Sequence, residues 1–246
     1  MPSVSATVTT PDGSCPVTLH TPNGTGPWPA VIMCPDAGGV RPTFRDMADT
    51  LAGFGYCVLL PDVFYRHGDW KPFDMKTVFD DEDERARLMP MILGLTPDKV
   101  ASDAGAFLDF LAGRTEVRGG GVGVCGYCRG GWTSLTVSGY HPDRIAAVGS
   151  IHAGGLATDQ PDSPHLLADR IKATVYIGAA ENDPSFTPQQ AEMLDKALTA
   201  AGVTHAIEWY QAAHGFAVPD NTPYDDRAAQ RHWMALSELF GSVLGG

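Results

Sequence analysis

The chain has 246 residues, 43% of them hydrophobic, and a formal net charge of −12. That balance argues against a nucleic-acid partner, which would need clustered basic residues, and no apolar run is long enough to cross a membrane. Five cysteines, an odd count, speak against a disulfide-stapled secreted scaffold, and Met1–Thr7 lacks a charged-then-apolar leader pattern, so a reducing cytoplasm is the expected setting.

Short apolar strands alternate with longer helical patterns, which predicts an α/β fold with a mostly parallel central sheet and helices on both faces. Ser5–Thr10 and Pro16–His20, joined through Pro11-Asp12-Gly13, read as an antiparallel hairpin at the sheet edge. Ala30–Cys34 is a continuous buried strand, followed by a helix from about Phe44 to Ala52 that ends at Gly53. Tyr56–Leu60 is the next strand, stopped by Pro61. From Asp62 to Pro97 the pattern loses regularity around Trp70, Phe73, Met75 and the acidic run Asp80–Glu84. A crossover this long reads as a partly helical lid, and its acidic run as a solvated helix face. A helix over Asp98–Gly113 leads to the strand Gly121–Cys125. Later strands fall at Ile145–Ile151, Ala173–Ala179 and His205–Tyr210, with helices over Thr187–Ala201 and about Asp225 to Leu244. With no repeats, linkers or low-complexity tracts, residues 1–246 read as one domain with a lid-like crossover at about 62–97.

The most specific signal is Gly126-Tyr127-Cys128-Arg129-Gly130-Gly131, set between a buried strand and the helical run Trp132–Val137. This is the nucleophile elbow of the α/β-hydrolase fold, with cysteine in place of the usual serine. Small residues flank the nucleophile because side chains there would collide with the neighbouring strand and helix, and the helix N-terminus favours a thiolate. On this fold the nucleophile is followed in the chain by an acid and then a histidine, each after a strand. Asp183 follows the strand Thr174–Ala179, with Glu181 as its competitor, and His214 follows the last strand. Cys128, Asp183 and His214 are therefore the expected catalytic residues. Cys125 and Cys128 also spell C-x-x-C, but Cys125 lies inside the strand and not at a helix N-terminus, which disfavours a redox pair, and no second Cys or His pair has zinc-ligand spacing.

The elbow, the Asp183 loop and Ala213-His214-Gly215-Phe216 together resemble the dienelactone hydrolase (carboxymethylenebutenolidase) family over nearly the whole chain. The resemblance implies hydrolysis of a small-molecule carboxylic ester or lactone through a thioester on Cys128, with no cofactor or metal. It assigns the oxyanion hole to the backbone N–H groups of Arg129 and Ala37, and it puts Asp36, where the family generally has glutamate, in control of the nucleophile. Family members hold the dienelactone carboxylate with two arginines. Arg87 in the lid matches one, with Arg85 a poorer fit, but Val218 occupies the position of the other. Arg129, Arg66 or His152 could compensate, and His152 is a candidate substrate contact because it follows a strand at its C-terminal end. Two alternatives stay open: a hydrolase of neutral esters or thioesters on the same fold, favoured by Val218 and the apolar lid residues Trp70, Phe73, Met89 and Met91, or a non-catalytic thiol redox sensor. No exposed heptad or apolar stripe calls for an oligomer, so a monomer is expected.

Overall fold

A computed structural model describes residues 1–245 of the chain. Its frame is an eight-stranded sheet in the order β1-β2-β4-β3-β5-β6-β7-β8. β1 (Ser3–Thr10) and β2 (Gly13–His20) form the antiparallel hairpin at one edge, and β2 runs antiparallel to β4 (Cys57–Pro61). Every other pairing is parallel: β4 with β3 (Ala30–Cys34), β3 with β5 (Val122–Tyr127), and onward through β6 (Ile145–Ile151) and β7 (Thr174–Asn182) to β8 (His205–Ala213). The near-continuous apolar runs have their reason here. β3, β4 and β5 are buried at every residue, because a parallel strand carries helices on both of its faces.

Among the described residues, five α-helices cover the two faces of the sheet. α1 (Pro42–Gly53) and α6 (Asp226–Leu244) lie on one face, where Phe44, Met47, Leu51, Leu236 and Phe240 share a core layer with Met33, Cys125 and Tyr127. α3 (Pro97–Ala112), α4 (Arg129–Tyr140) and α5 (Pro188–Ala200) lie on the other, through Phe107, Leu108, Leu135, Leu194 and Leu198. α1 buries Phe44, Met47, Ala48 and Leu51, the i, i+3, i+4, i+7 spacing of one helix face. Each large apolar side chain removed from water in this way stabilises the fold by about 1.5–3 kcal/mol.

α2 (Glu82–Leu93) is the helical part of the crossover. Asp81 caps it by accepting from the Glu84 N–H, and Glu82, Asp83 and Glu84 fill its first turn, where negative charge complements the orphan N–H groups. The segment ahead of it is tied down. The Trp70 indole donates to Asp62 at 3.1 Å, meets Phe64 edge-on at 5.5 Å, and stacks on Phe73 at 6.1 Å. Leu88 and Met91 then anchor α2 in the core.

Several strands run further than the sequence pattern alone suggests, β5 and β8 among them. β5 continues through Gly126 and Tyr127 because both residues stay in register with β6, and Gly126 also with β3. β8 continues to Ala213, which pairs with Asn182 beyond a register shift in β7. Both extensions bring residues to the same C-terminal edge of the sheet, where the loops after β3, β5, β7 and β8 converge. Among the described residues, no helix is long and apolar enough to cross a membrane.

Candidate active site

Cys128 sits on the turn between β5 and α4 with φ 53° and ψ −116°, a conformation that side-chain-bearing residues rarely adopt. The strain persists because the surroundings fix it. The Cys128 N–H donates to Ile151 O at 3.0 Å, and its carbonyl accepts from Gly131 at 3.0 Å and Trp132 at 3.2 Å. The flanking glycines answer to close approach: a Cβ on Gly126 would overlap the Gly130 backbone, and one on Gly130 would overlap the carbonyls of Cys34 and Pro35. Among the described residues Cys128 is the one cysteine that is not buried. The other thiols are poor nucleophiles, since burial pushes Cys34 and Cys57 up to about 12 and raises Cys15 and Cys125 as well.

His214 lies just beyond β8, its ring one-third exposed, with Nδ1 2.6 Å from Asp183 Oδ2. Asp183 has 1% of its side chain exposed, and its other oxygen accepts from the Ser185 N–H at 2.8 Å and hydroxyl at 2.5 Å. Burial alone would raise the Asp183 pKa, but hydrogen bonds from His214 and Ser185 outweigh it and hold the carboxyl below its usual range. For His214, burial works against the protonated ring. Hydrogen bonding and charge from Asp183 on one side and Cys128 on the other win, raising its pKa to about 10. Ser185 escaped the sequence reading, although the Asp-x-Ser spacing is an Asx-turn signal that could have found it. Glu181 is exposed and lines a separate groove with Trp209.

A cavity of about 390 Å³ opens over Cys128 and His214. Ala37 and Asp36 line it from the loop after β3, Met75, Lys76, Phe79 and Asp80 from the crossover, and Gly215, Asn221, Thr222 and Pro223 from the loop after β8. Arg129 is the first residue of α4, so its N–H has no acceptor within the helix and is available beside Cys128. Asp36 lines the cavity, but both its oxygens are bound by Arg41, at 2.6 and 2.9 Å.

The remaining candidate contacts lie outside the lining. Arg87 is held on the crossover: Nη2 donates to Glu84 at 2.6 Å, Nη1 to Lys71 O at 2.8 Å, and the guanidinium lies 3.8 Å over the Phe73 ring. Val218 is wholly buried in the layer beneath the site, with Phe216 and Ala217. His152 is buried too, with φ 39°, its ring 5.3 Å from those of His214 and Phe216. Burial, then the neighbouring His214, pushes its pKa well down, so it is a neutral ring beneath His214. Arg66 is committed to Asp103 at 2.8 Å and Asp12 at 2.7 Å. Arg129 stacks on Trp132 at 3.7 Å and donates to Leu95 O. Placing an arginine at position 218 therefore inserts a charge into the core. Val218→Arg is expected to cost about 3–5 kcal/mol of stability, read as a lower urea midpoint; an unchanged midpoint would mean that this backbone can turn the side chain out to the cavity.

Among the described residues, no group of three or more His, Cys, Asp or Glu side chains is arranged to hold a metal ion. The parallel sheet, the strained elbow and the histidine loop after the last strand define an α/β-hydrolase. The Dienelactone hydrolase family profile matches residues 16–244, and the chain belongs to that family. The carboxymethylenebutenolidase of Pseudomonas sp. (strain P51) is 27% identical over 214 residues, covering 86% of this chain and 84% of its own. A solved structure named m3DLH superposes with a TM-score of 0.82 at 26% identity over 98% of both chains. The dienelactone hydrolase of Anabaena variabilis has the same fold, with a TM-score of 0.69, 19% identity and 98% of both chains covered.

Proposed function

We propose that this hydrolase cleaves a small-molecule carboxylic ester or lactone through a thioester on Cys128. One observation carries the reading: Cys128, His214 and Ala37 line a single cavity, with Asp183 2.6 Å behind His214. The cycle starts from the imidazolium of His214, which its raised pKa favours, and a thiolate on Cys128. The sulfur attacks the acyl carbon, and the N–H groups of Ala37 and Arg129 receive the oxygen as it becomes an oxyanion. The C–O bond then breaks, and the His214 proton passes to the leaving alkoxide, which in a lactone stays tethered to the acyl group. Neutral His214 next takes a proton from water as its oxygen attacks the thioester. The thiolate departs, the acid is released, and the imidazolium is restored, so protons and charge balance over the cycle.

The pairing has a direct spectroscopic consequence. The His214 ring in the intact protein is expected to lose its proton only near pH 10, and its midpoint falls in Cys128→Ala, where the sulfur's contribution is gone. Imidazole NMR titration reads this. An unchanged midpoint in the variant would break the link between the two side chains.

The cavity also favours a substrate that is uncharged near the scissile bond. Met75, Phe79 and Pro223 form apolar walls, Arg87 is engaged elsewhere and Val218 is beneath the floor. Neither position offers the bidentate fork that holds a carboxylate. A neutral activated ester is therefore expected to give a higher kcat/KM than dienelactone, both requiring Cys128. A clear preference for dienelactone would reverse the substrate assignment and leave the mechanism standing.

A further inference from the structure

The loop after β3 turns sharply at Asp36-Ala37-Gly38-Gly39, where the Gly39 N–H donates to Asp36 O at 3.0 Å and the Gly38 N–H to Asp36 Oδ1 at 2.8 Å. Among the described residues the Ala37 N–H has no acceptor, and Ala37 lines the cavity over Cys128. Arg41 holds one side of this turn, forked between Asp36 and Asp220 at 2.6–2.9 Å. The crossover fills the space over its two glycines. A Cβ on Gly39 would come within 2.7 Å of Trp70 Cη2 and 2.9 Å of the Phe64 ring, and one on Gly38 would overlap the Met75 sulfur. Trp70 is itself fixed. Its indole N–H donates to both oxygens of Asp62 at 3.1 Å, and the Asp62 N–H ties that residue to Pro16 O of β2 at 2.9 Å. Phe64 meets the indole edge-on, Phe73 stacks on it, and the Arg87 guanidinium lies 3.8 Å over the Phe73 ring. Contacts therefore run from α2 through Phe73 and Trp70 to the turn that presents the Ala37 N–H.

We propose that Trp70 is a positioning residue for the oxyanion hole: it braces the turn from the crossover side and so fixes where the Ala37 N–H points. The proposal rests on the reading that Cys128 is the nucleophile and that Ala37 supplies an oxyanion donor. Such a donor accelerates the reaction only if it is already held where charge develops; a turn free to shift must reorganise in the transition state. Trp70 lies outside the cavity lining, so its effect reaches the reacting atoms through the turn. The crossover thereby takes part in the chemistry without having to close over the substrate.

Three readouts on Trp70→Ala separate bracing from general damage to the site. With p-nitrophenyl butyrate, kcat is expected to fall about 30-fold, part of the effect of deleting one oxyanion donor, while KM stays within about threefold. The inhibition constant of 1,1,1-trifluoropentan-2-one, whose adduct with the thiol places an oxyanion in the same hole, is expected to rise by a similar factor. Alkylation of Cys128 by iodoacetamide forms no oxyanion and is expected to stay within about twofold of wild type. Mass spectrometry locates it, since the other four cysteines are buried. An unchanged kcat overturns the proposal, as does a fall in kcat that leaves the trifluoroketone constant where it was. A parallel loss of alkylation, or a rise in KM alone, overturns it too. Should Trp70→Ala not fold, Arg87→Met carries the test, because it removes the cation over Phe73 from a side chain one-third exposed and leaves Trp70 in place. A fall of about threefold in kcat, matched by the trifluoroketone and with alkylation unchanged, is expected there, and any other pattern overturns the brace. Full turnover by Cys128→Ala would instead remove the nucleophile assignment beneath the proposal, so the two failures are distinct.

Discussion

Cys128→Ala is expected to lower kcat for an activated ester by roughly 10⁴-fold or more while the protein stays folded, the scale seen when a covalent nucleophile is deleted. The fold survives because alanine keeps the Cβ, and with it the backbone strain that the elbow already bears at φ 53°. The Cys128 backbone bonds to Ile151, Gly131 and Trp132 do not involve the sulfur. Steady-state kinetics beside a thermal melt check both halves. Wild-type turnover in the variant would remove Cys128 from the chemistry and leave its strained geometry without a function.

Asp183→Asn is expected to lower kcat by about 10³–10⁴-fold, and Glu181→Gln by less than twofold. The first effect follows from hydrogen-bond directions. Ser185 donates twice to Asp183 Oδ1, so an asparagine here keeps its carbonyl oxygen towards Ser185 and turns its NH₂ towards His214 Nδ1. That nitrogen must then accept, which places the ring proton on Nε2 and blocks it from taking a proton on the Cys128 side. Glu181 is exposed and lines another groove, so its charge has no path to the imidazole. The pH dependence of kcat/KM distinguishes the two variants, and the opposite ranking would make Glu181 the acid.

The chain carries much of this in plain view. The succession of strands and helices along the chain follows from buried apolar runs between helical patterns, and the elbow announces itself through glycines whose Cβ positions are filled by backbone. Asp183 and His214 could be placed because the fold fixes where along the chain their loops fall. Direction is harder to read than position. The family resemblance implies a substrate contact at Val218, yet the turn over 215–218 drops it into the core. Arg87 sits on the crossover as expected, but its guanidinium is claimed by Glu84, Lys71 and Phe73, neighbours that compete locally with any ligand. His152 stands at a strand end, where sites are built, and its side chain turns under His214. The Arg41 fork was beyond the sequence altogether: Asp220 lies 179 residues away, and no periodicity or spacing encodes that pairing. Long-range polar contacts of this kind belong to tertiary structure, which no local pattern reports.

The most direct test of the mechanism is to trap the acyl-enzyme. Rapid mixing with p-nitrophenyl butyrate, acid quenching and peptide mass spectrometry are expected to show one acyl group on the peptide containing Cys128, removable by hydroxylamine as a thioester is, and absent from Cys128→Ala. Turnover of the same ester with no acyl group on Cys128 at any time would contradict covalent catalysis by this thiol.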